Sequence, residues 1–102
     1  MILNHIVMWR FKRDLEKSPQ EIAEWMKAHL EALVGIVPQC LSMEVGINVN
    51  KGDAAYDAVL ISRFHSKDDL DAYKVHPEHV KISSFCKAAR ESRVVVDYYT
   101  EE

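Results

Sequence analysis

Hydrophobic and polar residues alternate with a period of two in four segments of the chain, which is the pattern of a β-strand with two distinct faces. The first segment, Ile2 to Phe11, is apolar on both faces, so both are expected to be covered. Alternation from Leu41 to Val49 predicts a half-buried strand, and Asn50–Asp53 predicts a turn. Tyr56 to Phe64 is then the returning strand, and Arg93 to Tyr99 is the last one.

A helical period separates the first two strands. Ser18-Pro19-Gln20-Glu21 predicts a helix start because serine caps, proline fits the first helical position, and glutamate follows three residues after the cap. Gly35 and Pro38 close the segment. The residues that recur at helical spacing inside it are Ile22, Trp25, Met26, His29, Leu30 and Leu33.

Two further helices are predicted before the last strand. Ser66 starts the first of them, with acidic residues in its first turn, and Pro77 ends it near Val75 because the residue before proline avoids helical geometry. The second spans Glu78 to Arg90. Its inward side carries His79, Ile82, Cys86 and Ala89, with Phe85 beside them.

This order of elements predicts the fold class. Strand, helix, strand, strand, helix pair, strand is the split βαβ, ferredoxin-like α+β layout, and residues 1–102 are expected to form a single domain. The four-stranded antiparallel sheet would carry its helices on one face only. The other face is also apolar, and a second copy of the chain covers it most simply, so a homodimer through the sheet is expected.

Composition narrows the classes of protein to which the chain belongs. Hydrophobic residues make up 48% of its 102 residues, which is enough for a core. The formal net charge is −3, with acids and bases interspersed and no basic stripe, which argues against a nucleic-acid partner. The apolar runs are too short to cross a bilayer and no signal peptide is visible, so a cytoplasmic location is expected. Cys40 and Cys86 are interpreted as reduced packing residues, with a disulfide as the alternative.

Three polar aromatic residues are the candidates for chemistry. His5 lies in the middle of an apolar strand, Tyr73 lies on a short helix, and His79 lies on an apolar helical face. Buried polar groups lose free energy unless they are paired, so these rings either form hydrogen bonds within the core or line a pocket. In a pocket, an imidazole exchanges a proton near neutral pH and a tyrosine hydroxyl orients a carbonyl.

The other histidines and large aromatic residues have structural interpretations. His76 precedes Pro77 and is expected to act as a cap or hinge, His29 is expected in the core, and His65 in solvent. His76 and His79, with His5 as a third ligand, are the best candidates for a metal site, but proline separates the pair and no cysteine pair is present. No metal and no cofactor are therefore expected. The residues expected to be simple core are Trp9, Trp25 and Phe85.

Four segments together resemble the stress-responsive A/B barrel (Dabb) family. They are His5-Ile6-Val7-Met8-Trp9-Arg10-Phe11-Lys12, Gly35-Ile36-Val37-Pro38, Tyr73-Lys74-Val75-His76-Pro77-Glu78-His79, and Val95-Val96-Asp97-Tyr98. The resemblance covers nearly the whole chain, and its first segment and the His-Pro-x-His motif are together quite specific. It implies a ferredoxin-like monomer that dimerises through its sheet to close an α+β barrel.

The resemblance also implies an activity, because the family includes a plant polyketide cyclase that catalyses intramolecular aldol condensation without metal or cofactor. Its catalytic histidine matches His79, its helical tyrosine Tyr73, and its first-strand histidine His5. Leu30 and Ala58 stand where that cyclase has a tyrosine and a histidine, so the basic pair is retained while the substrate pocket differs.

These observations leave three hypotheses for function. In the first, a small molecule binds between the sheet and the helices, with His79 as the proton acceptor and Tyr73 and His5 orienting it, and proton abstraction beside a carbonyl is the expected reaction. In the second, the dimer is a structural or stress-response protein whose polar residues form a closed hydrogen-bond network. In the third, the chain is a cofactor-free monooxygenase-like barrel.

Overall fold

A computed structural model describes residues 1–101. Its elements, in chain order, are β1 (Ile2–Phe11), α1 (Pro19–Glu31), β2 (Ser42–Ile47), β3 (Ala58–Phe64), α2 (Lys67–Val75), α3 (Pro77–Ala89) and β4 (Arg90–Thr100). The predicted order of elements and the ferredoxin-like α+β class are confirmed. None of the helices within residues 1–101 is long and apolar enough to span a membrane.

The predicted ends of the two middle strands are wrong. Leu41, Val49 and Tyr56 all lie outside β2 and β3, and Val49 is 91% exposed. The alternation of apolar and polar side chains continues beyond the last paired residues. It predicts the ends poorly because a strand ends where its hydrogen-bonded partner ends, whatever the polarity of the next side chains.

The remaining elements also differ from prediction at their ends. α1 stops at Glu31, two residues before the last apolar residue of its pattern, and Leu33 packs into the core from the turn that follows. α3 begins and ends one residue earlier than predicted. β4 begins at Arg90 rather than Arg93 because Arg90 already pairs with Phe11 across a bulge in the ladder with β1.

The sheet has the strand order β2-β3-β1-β4, and every neighbouring pair is antiparallel. β1 is therefore central and pairs with both β3 and β4. The alternation along β1 gives the sheet a helix-facing side, which carries His5, Val7 and Trp9, and an opposite side, which carries Ile6 and Met8.

The core lies between the helix-facing side of the sheet and the three helices. Its largest members include Phe11, Phe64 and Leu30, all completely buried. Cys40 and Cys86 are buried and free, as predicted. Trp9 is buried, but Trp25 and Phe85 are only partly buried. Their ring centroids lie 3.9 Å apart between α1 and α3, with the ring planes tilted by 31°.

The opposite side of the sheet, called the open face below, is not covered by any helix. Met8, Val94, Val96 and Tyr98 are all exposed there, and Val96, midway along the edge strand β4, is 59% exposed. Ile6, Val59 and Ile61 surround them and are half-buried. A continuous apolar patch of this kind is unusual on a monomer and typical of an interaction surface.

Replacing Ser18 by alanine is expected to lower the free energy of unfolding by about 1 kcal/mol. The Ser18 hydroxyl accepts a hydrogen bond from the Glu21 backbone N–H at 3.1 Å, and the Glu21 carboxylate accepts one from the Ser18 N–H at 2.9 Å, which is the predicted capping box. Urea denaturation measures the change. The matched control is Ser84→Ala in the exposed interior of α3, where alanine favours the helix and no loss is expected; equal losses in both variants would contradict the capping argument.

Candidate functional site

A cavity of about 310 Å³ lies between the helix-facing side of the sheet and the helices. Its walls come from every helix and from β1, β3 and β4. His5, Tyr73 and His79 all line it, so the fold brings the first strand together with a segment some seventy residues further along the chain. Their chemical role stays a prediction. A cavity of this size is at the lower end of the range for small-molecule sites.

The junction of α2 and α3 sets the positions of Tyr73 and His79. His76 ends α2 and caps α3, since its Nδ1 accepts a hydrogen bond from the Glu78 N–H at 3.1 Å. Pro77 follows at the first helical position, where its missing N–H costs nothing. The predicted capping role of His76 is confirmed. The resulting turn places the Tyr73 ring against the His79 ring, with their centroids 4.3 Å apart.

The hydrogen bond of His79 defines its tautomer. Nδ1 lies 3.0 Å from the Lys74 carbonyl oxygen, and because a carbonyl only accepts, Nδ1 carries the hydrogen. In the neutral ring, Nε2 therefore has a free lone pair. Burial lowers the pKa of His79 below the ordinary value of 6.5; the bond to Lys74 opposes this shift, while the nearby charge of His5 adds to it. The ring is thus neutral at pH 7 and available as a base.

His5 is paired with a carboxylate. Its Nδ1 donates to Asp97 Oδ1 at 2.6 Å, a short charge-assisted hydrogen bond. Burial lowers the pKa of His5, and this effect outweighs the opposing influence of Asp97. The bond fixes the ring so that Nε2 is the free nitrogen. Because the charges of His5 and His79 affect each other, a proton on one ring disfavours a proton on the other.

Two buried hydrogen-bond donors on the cavity wall have no partner within residues 1–101. They are the Tyr73 hydroxyl and the Trp9 indole Nε1–H. Tyr73 is 1% exposed, and burial raises the pKa of its hydroxyl, so it stays protonated and can donate. A buried donor without an acceptor is unfavourable by about 1–3 kcal/mol. Both groups are therefore suited to an oxygen atom brought in by a ligand.

Of His29, His65, Leu30 and Ala58, only Leu30 lines the cavity. His65 is exposed, as predicted. The prediction of a core position for His29 is wrong: the ring is exposed, stacks on Trp25 and bonds to its carbonyl, because it lies at the edge of the apolar stripe of α1. Leu30 lines the cavity, but Ala58 does not; Ala58 instead borders a separate depression near the loop between β2 and β3.

Sequence reasoning missed two participants in the site. Asp97 enters the sequence analysis only within the Val95–Tyr98 motif, although a single carboxylate inside a Val- and Tyr-rich strand indicates a buried or paired acid. Its pairing with His5 follows from the β1–β4 register, which places the two residues directly opposite each other. Trp9 was interpreted as core only, and nothing in its sequence context indicates that its indole N–H lacks a partner.

No residues are placed to hold a metal in the described part of the chain. Residues 1–101 contain no group of three or more His, Cys, Asp or Glu side chains close enough to share an ion. His5 and His79 each use Nδ1 in a hydrogen bond with another group.

The free energy of unfolding is expected to fall as the pH drops below 6.5. Both His5 and His79 have pKa values that burial lowers in the folded state, so between those values and 6.5 the unfolded chain binds more protons. Their contribution is complete above pH 6.5 and is lost as the pH falls through the folded-state values. Urea titrations from pH 7.5 to 5 measure this slope. In a variant with both histidines replaced by glutamine the slope should be smaller; an unchanged slope would contradict the assignment.

Comparison with known sequences identifies relatives of the chain. The stress responsive A/B barrel domain profile matches residues 3–100. Olivetolic acid cyclase of Cannabis sativa is 24% identical over 100 residues, which cover 96% of each protein. A stress-response A/B barrel domain-containing protein of Arabidopsis thaliana, DABB1, is 43% identical over 44 residues; the match covers 43% of this chain and only 21% of that protein.

Solved structures show the same fold. A dimeric ferredoxin-like protein from Bacteroides fragilis superposes with a TM-score of 0.87 and 31% identity, covering 97% of this chain and 96% of that one. Hydroxynitrile lyase from Passiflora edulis gives a TM-score of 0.80 at 24% identity, covering 99% and 95%. The profile match over almost the entire sequence, together with this fold, shows that the chain belongs to the stress-responsive A/B barrel domain (Dabb) family.

Proposed function

We propose that the protein binds a small carbonyl compound in the cavity and removes a proton from the carbon beside the carbonyl. The observation that carries the proposal is the pairing of an available base with an unpartnered donor at one cavity: the free Nε2 of His79 and the Tyr73 hydroxyl. Such a pair is what enolate formation requires. Neither a metal nor a cofactor is part of the proposal.

His79 acts as the base. Its Nε2 takes the proton, and the electron pair of the broken C–H bond moves into the enolate. The Lys74 carbonyl, which holds Nδ1–H at 3.0 Å, stabilises the imidazolium that forms. A histidine whose pKa lies somewhat below neutrality is unprotonated before the step and returns its proton readily after it.

Tyr73 stabilises the enolate oxygen. Its hydroxyl is buried and protonated and has no acceptor among residues 1–101, so its hydrogen bond is available to the oxygen where negative charge develops. His5, fixed by Asp97, presents its free Nε2 to the cavity and, when protonated, disfavours a proton on His79. In this proposal His79 is the proton acceptor, and Tyr73 and His5 assist it.

The structural alternative, a closed hydrogen-bond network, fits less well. A core built for stability alone pairs its buried donors, whereas Tyr73 and Trp9 both leave one unpaired at an accessible cavity. Two relatives have names of enzymes, a cyclase and a lyase. These names support catalysis on this fold without specifying the reaction of this chain.

We infer that the working unit is a homodimer formed through the open face. This face carries exposed Met8, Val94 and Val96, and a shallow depression of about 640 Å³ lies beside them around Gly46 and Val59. Apolar area of this kind is stabilised by burial against an identical face, and structural relatives are dimeric. The cavity lies on the other side of the sheet, so the dimer leaves it accessible.

Exchange of a carbon-bound proton with solvent tests the proposed function. The probe is 1-phenylpropan-2-one in D₂O, a neutral ketone with acidic methylene protons, followed by proton NMR. The protein is expected to accelerate loss of the methylene signal above the buffer rate, and to do so less as the pH falls and His79 becomes protonated. Exchange no faster than in buffer, or exchange independent of pH between 5 and 7.5, would count against His79 as the base.

A further inference from the structure

The cavity wall carries two hydrogen-bond donors that the proposed function does not use. They are the side chains of Trp9 and Arg93, which both line the cavity. They are directly paired across β1 and β4, and paired residues of an antiparallel ladder point to the same side with Cβ atoms about 5 Å apart. The Trp9 indole N–H is buried and unpartnered within residues 1–101, and the Arg93 side chain is exposed. A neutral donor and a guanidinium therefore start from neighbouring positions on the cavity wall.

The charge of the cavity is opposite to that of the chain. The chain carries a net charge of −3, yet the cavity lining includes four cationic residues and no aspartate or glutamate. The four are Lys74, Lys87, Arg90 and Arg93. None of them forms a salt bridge within residues 1–101, where the ion pairs involve other lysines and arginines. Unpaired positive charge around a concave surface concentrates anions.

We propose that Trp9 and Arg93 form a carboxylate-binding subsite and that the ligand of this cavity is an organic acid. Arg93 supplies charge-assisted hydrogen bonds to one or both carboxylate oxygens, and the Trp9 N–H donates one more. Lys87 and Arg90, at the end of α3 and the start of β4, add positive charge to the lining of the same cavity. The carboxylate-binding subsite stands on these contacts alone; placing the carbonyl of the same acid at His79 rests on the proposed function.

The geometry of β1 sets the length of such a ligand. His5 and Trp9 are on the same side of the strand and four residues apart, so their Cα atoms are about 13 Å apart at the usual rise. Between them the wall is apolar, formed by Val7, Leu60 and Ile82. The ligand is accordingly an acid with an apolar segment between its carboxylate and its reactive carbon. An inorganic anion has no apolar group to contact this part of the wall.

A pair of probes that differ only in charge tests the subsite: 4-phenylbutyrate and its neutral amide, 4-phenylbutyramide. Binding is followed by the indole N–H signals in ¹H–¹⁵N NMR, in which Trp25, outside the cavity, is the internal control. The acid is expected to bind at least about 10-fold more tightly than the amide and to shift the Trp9 signal. Arg93→Gln should remove this preference, whereas Lys51→Gln, which removes one charge from the turn outside the cavity, should keep it.

The outcomes distinguish the two proposals. Equal binding of acid and amide, no binding of either at millimolar concentration, or a shift confined to Trp25 would overturn the carboxylate subsite. Arg93 is exposed, so Arg93→Gln is expected to fold, and its thermal unfolding verifies this. Ketone exchange by the wild-type protein does not test the subsite. Exchange without a preference for the acid would contradict only the carboxylate-binding subsite. A preference for the acid without exchange would contradict only the catalytic role of His79.

Discussion

Replacing His79 by glutamine is expected to slow the exchange of the methylene protons of 1-phenylpropan-2-one by about 100- to 10,000-fold, the usual contribution of a general base. Glutamine keeps a polar side chain of similar length but cannot accept a proton near neutral pH. The remaining rate should no longer follow the protonation of His79, so the difference from the wild-type protein should shrink as the pH falls and the wild-type histidine becomes protonated. Replacing Tyr73 by phenylalanine removes only the enolate donor, so a smaller loss is expected.

The matched control is His65→Gln, which replaces an exposed histidine outside the cavity. It should exchange the ketone at the wild-type rate. Circular dichroism of each variant confirms that the fold is intact. An active His79→Gln protein would assign the proton transfer to another group, and the His5–Asp97 pair would then be the next candidate because its Nε2 is also free.

The substitution Val96→Asp is expected to convert the dimer into a monomer at micromolar concentrations. Val96 lies midway along the edge strand β4 on the open face, among exposed apolar residues that a partner would cover. An unpaired carboxylate there loses its hydration, which is unfavourable by several kcal/mol. Twofold symmetry places both new carboxylates at one interface, so the penalty is incurred twice. Light scattering measures the mass directly.

Val49→Asp is the matched control because it makes the same change at a valine that is 91% exposed in the loop after β2. Its mass should remain that of a dimer. The isolated Val96→Asp chain should keep its helices, since the open face contributes little to the core of the protomer. A wild-type chain that is monomeric at micromolar concentration, or a dimeric Val96→Asp, would show that the open face is not the interface.

Element type and order were predictable because they depend on local pattern. The Ser18 capping box, the break at Pro77 and the alternation along β1 are each contained within a few residues, and each is present as predicted. The errors occur where local polarity and pairing diverge, as at Val49, or where a residue lies at the margin of an apolar stripe, as at His29. In both cases the burial of the residue depends on whether another part of the chain packs against it.

Residue patterns alone were enough to predict the fold class, the apolar character of both sheet faces, and His5, Tyr73 and His79 as candidates. The folded chain was needed to show which nitrogen of each histidine is free, that Asp97 bonds to His5, and that Trp9 and Tyr73 have unpaired donors. Periodicity is a one-dimensional property that a few neighbouring residues specify. Hydrogen-bond partners, burial and the charge around a cavity depend on strand register and helix packing, which bring together residues more than ninety positions apart.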